Sequence, residues 1–446
     1  MSRLSHIAEA LCDLPKPTEK VQNHIRGAGI DLMGCILAGR DEEISVRTRQ
    51  TVASFGSGSV PVFGTGLCLS PPHAALCNAT AAHALDFDDW EEPGNTHPSA
   101  VLLPALWAVA MDRNKNGEAV LAAYNTGFEL VARFGEAFNF EHYNKGWHST
   151  ATLGVIGVAA AVSHLIGLNA EQMANAMSLA ISRSCGYTCQ FGSSAKPLQA
   201  GFAASDGLMA ALLAEQGMTG HPGVLDGSKG FVHLMAHGDL ARLDAAVTQM
   251  NGKALEQWGI VLKAYPACGY THRLVDCALE IAGTIEPDQI ISVQAELPDF
   301  HYAILPYGKP TSRFESLFSV PFSIATSLLR GRFALEDLDE EARDAPEISA
   351  LIEKIVVAPQ PASRPSLNYD PDQPDRLVVH LQSGQQISAV CEYPKGAPQN
   401  PMSLNEIRQK FESIGGYREI SPIDDLMDWP RAKSLSDLLR TFGEEL

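Results

Sequence analysis

The chain carries little positive charge: 33 Lys and Arg stand against 52 Asp and Glu, a formal net charge of −19. Such a surface repels a phosphate backbone or an anionic bilayer, so neither nucleic acid nor membrane is an expected partner. The nine cysteines are odd in number, irregularly spaced and without a CxxC. They supply neither a disulfide framework nor a convincing set of iron–sulfur ligands, and they fit free thiols in a reducing cytoplasm, the expected location. The opening MSRLSHIAEALCDL has acidic residues and no long apolar core, unlike a secretory signal. There is no HExxH, no GxxxxGK[ST], no internal repeat and no low-complexity tract. The most apolar run, 151–168, holds three Gly, a Ser and a His. It is marginal as a membrane span and reads as a buried helix with small residues at close contacts.

With 446 residues, 45% apolar and 19% charged, the chain has the composition of two or three globular domains. Residues 1–55 read as two amphipathic helices, broken at Pro15-Lys-Pro17, with Thr18 capping the second and Gly39 stopping it. Residues 57–66 form a small strand or loop. From 72 to 254 the spacing of Ala and Leu is helical, with a capping box at Asn169 and Gln172. After about 258 strands are predicted at 291–300, 353–360 and 376–390, the last a hairpin turning at Ser383-Gly384. A helix over 316–331 is interrupted near Pro321, and helix returns after the capping box Ser403 to Glu406. The expected class is mainly α. A large all-helical domain, 1–260 plus 396–446, is built from both chain ends, and a smaller α+β lid domain, 261–395, is inserted into it.

Four stretches carry chemistry. The first, from His83 to Pro98, packs Asp86, Asp88, Asp89, Trp90 and His97 between two Ala/Leu-rich segments. Unpaired carboxylates buried there would cost on the order of several kcal/mol each. The group suits a divalent metal or the orientation of a catalytic base, but no ligand spacing supports the metal and none is expected. The bland alternative is a solvated acidic loop. The second, Tyr143 to Thr150, sets Trp147, His148 and two hydroxyls at a helix start, a corner for a carboxylate. Its bland form has Ser149 or Thr150 as a cap and His148 in solvent. In the third, Lys196 follows a Gly/Ser loop and suits anion binding or proton transfer, or simply faces solvent. The fourth, Lys263 to Arg273, gathers two cations, His272, two phenols and Cys268, which is a nucleophile or a small packing residue.

These stretches in this order resemble the MmgE/PrpD family. The matching text is AHALDFDDW…THPSAVLLPALWAVA, GWHSTATLGVIGVAAA, SSAKPLQAGFAASDGLMAALLAEQGMTG, KAYPACGYTH and FSVPFSIATSLLRG. The resemblance implies a helical domain with an α+β lid, and a cofactor-free homodimeric enzyme acting on an anionic small molecule, a polycarboxylate. It places Asp86, His97, His148, Lys196 and Lys263 in the site. Trp90 and Cys268 depart from the pattern of the family's decarboxylases. The compact length and the CGYTH text resemble its iminodisuccinate-epimerase branch, with a dehydratase as the alternative and a non-catalytic binding protein as a third. For epimerisation the expected proton-transfer pair is Lys196 and Tyr143, with His97 as a substitute, oriented by Asp86. Lys196, Lys263, His148 and Arg273 form the expected positive pocket, with His272 and Trp90 also contacting substrate.

Overall fold

The computed structural model describes residues 2–236, 238–414 and 423–444. Among the described residues the chain is mainly α with two small sheets, the first pairing β1 Val60–Pro61 with β2 Cys68–Leu69. By compactness it divides into two units: Met1–Ala84 with Asp88–Val261 and Ser403–Leu446, and Leu85–Phe87 with Leu262–Met402.

The first unit is helical because its apolar residues recur at helical spacing. In Arg3–Cys12, Leu4, Ile7, Ala8 and Leu11 bury one face, and the Ser2 side chain accepts from the Ser5 amide. Thr18 caps Glu19–Gly39. Residues 1–55 contain three helices, not two. The third, Glu43–Ala53, has only Ile44 and Val52 as buried aliphatics, too sparse a pattern to read in sequence. Gly39 does end its helix, but not through a left-handed conformation. A Cβ there would strike the Ala81 carbonyl of helix Pro71–His83, so the position serves a close helix crossing.

The 151–168 run is divided at Leu153 into Ser149–Thr152 and Gly154–Ile166. Together Ser149–Ile166 is long and apolar enough to cross a membrane, and 89% of it is buried within the chain. Its small residues act as expected. A Cβ on Gly127 of helix Gly117–Asn144 would lie 2.9 Å from the Gly157 carbonyl, so the two backbones approach closely. Helices Pro98–Arg113 and Ala195–Glu215 pack on the same core.

The second unit holds a four-stranded sheet in the order β4-β3-β5-β6, with β3 Ile290–Pro298, β4 Ile355–Gln360, β5 Asp375–Leu381 and β6 Gln386–Cys391. β3 and β4 are parallel and the other pairs antiparallel. Along β5, Asp375, Leu377, Val379 and Leu381 point inward. Helix His272–Ala282 packs against β5 and β6 through a buried face that includes Leu274, Cys277, Ala278 and Ile281. The β5–β6 hairpin turns where predicted, with Gly384 at φ +84. Pro321 sits in the first turn of Val320–Arg330, where a missing N–H breaks no helical bond, and this accounts for the interrupted helix.

Candidate active site

In the first unit the acidic stretch is buried, which removes the solvated-loop reading. Asp88 and His83 are fully enclosed and His97 is largely so. His83 closes helix Pro71–His83, and His97 immediately precedes helix Pro98–Arg113, so two helix ends deliver the rings. Asp88 lies between them. His83 Nδ1 is 2.9 and 3.0 Å from its two oxygens, and His97 Nδ1 is 3.2 Å from Oδ2. The ring centroids of His83 and His97 are 4.3 Å apart. Burial works to raise the Asp88 carboxyl, but the two imidazoles beside it outweigh this and hold it well below the usual carboxylate range.

His148 is buried, not solvated, and its Nδ1 is 2.6 Å from Gln199 Oε1. Nδ1–H donation to that amide oxygen leaves Nε2 with its lone pair outward. Burial, reinforced by the Lys196 ammonium and by His83 and His97, pushes His148 well below its ordinary value. That shift favours the neutral ring. Ser149 and Thr150 do not cap their helical turn. The Thr150 hydroxyl instead accepts from the His97 backbone N–H at 3.1 Å, because this buried oxygen meets that donor across the fold.

Lys196 falls in the first turn of Ala195–Glu215 and is 5% exposed, so it is not the surface lysine of the bland reading. Its Nζ lies 5.2 Å from the Phe191 ring centroid. A cation opposes the positive helix N-terminus, and an anion placed there relieves both. Phe191 also receives the edge of His148 at 5.0 Å and the ring of Tyr143 at 6.5 Å. Three predicted residues thus meet on an aromatic ring that the residue-type argument passed over. Gln199 was also missed, although it lies one helical turn beyond Lys196. Trp90 is buried, and its backbone pairs with Val261.

His83, Asp88 and His97 each offer a ligand atom, all within 4.8 Å of one another, as a divalent cation would require. The Asp88 oxygens face a nitrogen of each ring, with a hydrogen bond made to His83.

In the second unit Asp86, expected to orient His97, has a left-handed backbone at φ +50. Buried Lys263 holds it twice, at the carbonyl oxygen, 2.6 Å, and the carboxylate, 3.0 Å. His272 Nε2 is 3.2 Å from the Ala267 carbonyl. Arg273 is 2.5 Å from Asp375 and reaches the carbonyls of Asp370, Gln373 and Glu392, with its guanidinium over Tyr369. Burial pushes Asp375 up to about 6, against the pull of Arg273. These partners engage the guanidinium inside the fold. Arg273→Ala is expected to cost about 3–5 kcal/mol of unfolding free energy, the usual loss when one member of a buried pair is removed. Urea unfolding measures it; a fall in substrate affinity with unchanged stability would favour the binding role.

Two helix ends thus bring imidazoles to one buried carboxylate, and an ammonium and a third imidazole share an aromatic ring, all within the helical unit. The chain belongs to the MmgE/PrpD family: the model of its N-terminal domain matches residues 5–244 and that of its C-terminal domain 265–419. A cis-aconitate decarboxylase of Aspergillus terreus is 27% identical, over 92% of this chain and 86% of its own length. The Homo sapiens cis-aconitate decarboxylase is 26% identical, over 96% and 88%. A 2-methylcitrate dehydratase of Salmonella typhimurium is 24% identical, over 78% and 76%. These relatives are enzymes.

Proposed function

We propose that this chain is a lyase of a small polycarboxylate, breaking a bond at a carbon next to a carboxylate by dehydration or decarboxylation. The observation that carries the reading is the buried set of Asp88 with His83 and His97, and Lys196 with His148. The names of the relatives, a decarboxylase and a dehydratase, support lyase chemistry over the epimerase expected from sequence.

Either reaction places negative charge beside a carboxylate. Lys196 and the helix N-terminus that carries it would neutralise that carboxylate. In dehydration a base takes the α-proton, the electron pair moves toward the carboxylate, and hydroxide leaves as water after gaining a proton, giving an alkene. His148 Nε2, neutral and oriented by Gln199, fits the base; His97, set beside Asp88, fits the acid. In decarboxylation the C–C bond to a carboxylate breaks, CO₂ leaves, and the carbanion takes a proton. A second reading, epimerisation with Lys196 and Tyr143 removing and returning one proton, is favoured by Cys268, which stands where the decarboxylase pattern carries an imidazole.

Proton NMR in D₂O with cis-aconitate, 2-methylcitrate and iminodisuccinate in separate tubes tests this. Loss of CO₂ from the first or of water from the second is expected. Neither, with deuterium entering the α-carbon of iminodisuccinate as its stereoisomers interconvert, would overturn the lyase reading in favour of the epimerase.

A further inference from the structure

We propose that Glu91, which no part of the mechanism uses, is a positioning residue that fixes His97 by templating the 91–96 turn, with Gly135 as its backstop. The proposal rests on the reading of His97 as a working imidazole.

Glu91 is completely enclosed. Its carboxylate accepts from the Gly94 amide at 3.0 and 3.1 Å, the Thr96 amide at 3.2 Å and the Thr96 hydroxyl at 2.6 Å. Its own amide donates to the Thr96 carbonyl at 3.0 Å. The side chain therefore closes a loop upon itself and has its oxygens turned to the backbone that leads into His97. Asn95, at φ +53, supplies the left-handed step this tight loop needs.

Two further contacts make the turn rigid. Gly94 lies against Gly135 of helix Gly117–Asn144; a Cβ on Gly135 would be 2.5 Å from both the nitrogen and Cα of Gly94. A Cβ on Gly94 would be 2.6 Å from Glu91 Oε1. On the far side of His97, the Asp89 carboxylate accepts from the Ser99 amide at 3.1 Å and from the Ser99 hydroxyl. His97 is thus bracketed by two buried carboxylates, one holding Thr96 and the other Ser99. Asp89 anchors the helix start that follows, while Glu91 ties the turn before it, and the Thr150 hydroxyl accepts from the His97 amide between them. Such support is what keeps a reacting group within a fraction of an ångström of its working position.

The test uses Glu91→Gln and Gly135→Ala, two changes on different elements, at pH 8, above the value of about 7 to which burial lifts Glu91. The amide of Gln turns an N–H₂ toward donors, and the methyl of Ala pushes Gly94 without changing any polar group. Both are expected to fold cooperatively, to lower kcat by about 10–100-fold and to leave KM within about twofold. In histidine-labelled protein without substrate, the cross-relaxation between the His83 and His97 rings is expected to weaken, while His148 signals stay in place. A folded Glu91→Gln that keeps both wild-type kcat and that ring contact would overturn the proposal. If Gly135→Ala does not fold, Glu91→Gln decides alone. If the wild type acts on none of the polycarboxylates, the functional reading fails, and the ring contact still decides whether Glu91 positions His97.

Discussion

Lys196→Ala is expected to lower turnover by about 10²–10³-fold, the range for removing a group that stabilises developing charge, while the protein still folds. The side chain is buried at a helix start over Phe191, so its loss removes a charge beside that ring. Lys196→Arg separates two roles. Arginine keeps the charge but does not give up its proton, so it restores activity only if the lysine acts as a cation alone. A second effect needs no substrate. The ammonium is one of the groups that depress His148, after burial, so in Lys196→Ala the His148 titration moves upward yet stays below its ordinary value. NMR titration of the His148 ring checks this. Turnover at the wild-type rate in Lys196→Ala would remove the residue from the mechanism.

Asp88→Asn is expected to lower kcat by about 10²-fold or more and to cost about 1–3 kcal/mol of stability. The asparagine oxygen accepts from one imidazole N–H, but its amide N–H₂ then faces the other ring. The pH dependence has a definite sign. Asp88 titrates well below its ordinary value in the fold, so the unfolded chain binds its proton first as pH falls. The stability it contributes is complete above the unfolded carboxylate value of about 4 and is lost as pH drops through the lower folded value. Denaturant unfolding of wild type and Asp88→Asn should therefore converge as pH falls below about 4. A difference that persists unchanged well below about pH 4 would show that the carboxylate is not held in its charged form.

Much of the local structure was legible because it depends on neighbours in sequence. The caps at Thr18, Asn169 and Ser403 join residues three apart, and each forms in the structure. The Ser383-Gly384 hairpin and the strands at 290–298 and 355–360 follow from alternation and a glycine at positive φ. Helix Glu43–Ala53 was not legible, since two aliphatic residues do not make a stripe.

The site divides along the same line. Residue types and their order singled out His97, His148, Lys196, Tyr143 and the Asp86–Lys263 pair of stretches, because ionisable groups among apolar helices are costly wherever the chain places them. The partner of each group is another matter. Which carboxylate lies beside which imidazole depends on how helices Pro71–His83 and Pro98–Arg113 end against each other, and that set Asp88 between His83 and His97. His148 as a neutral acceptor depends on Gln199 and Lys196, 51 and 48 positions away in the chain, being folded against it. The partners of Arg273, Asp375 and three carbonyls, likewise come from segments about 100 positions further along the chain. The sequence by itself determined the mainly α class, the family resemblance and the ionisable groups, all of which rest on short-range pattern and residue chemistry. Only the tertiary structure decided charge states and pairings, because burial and through-space Coulomb interactions belong to the packed chain and not to its order.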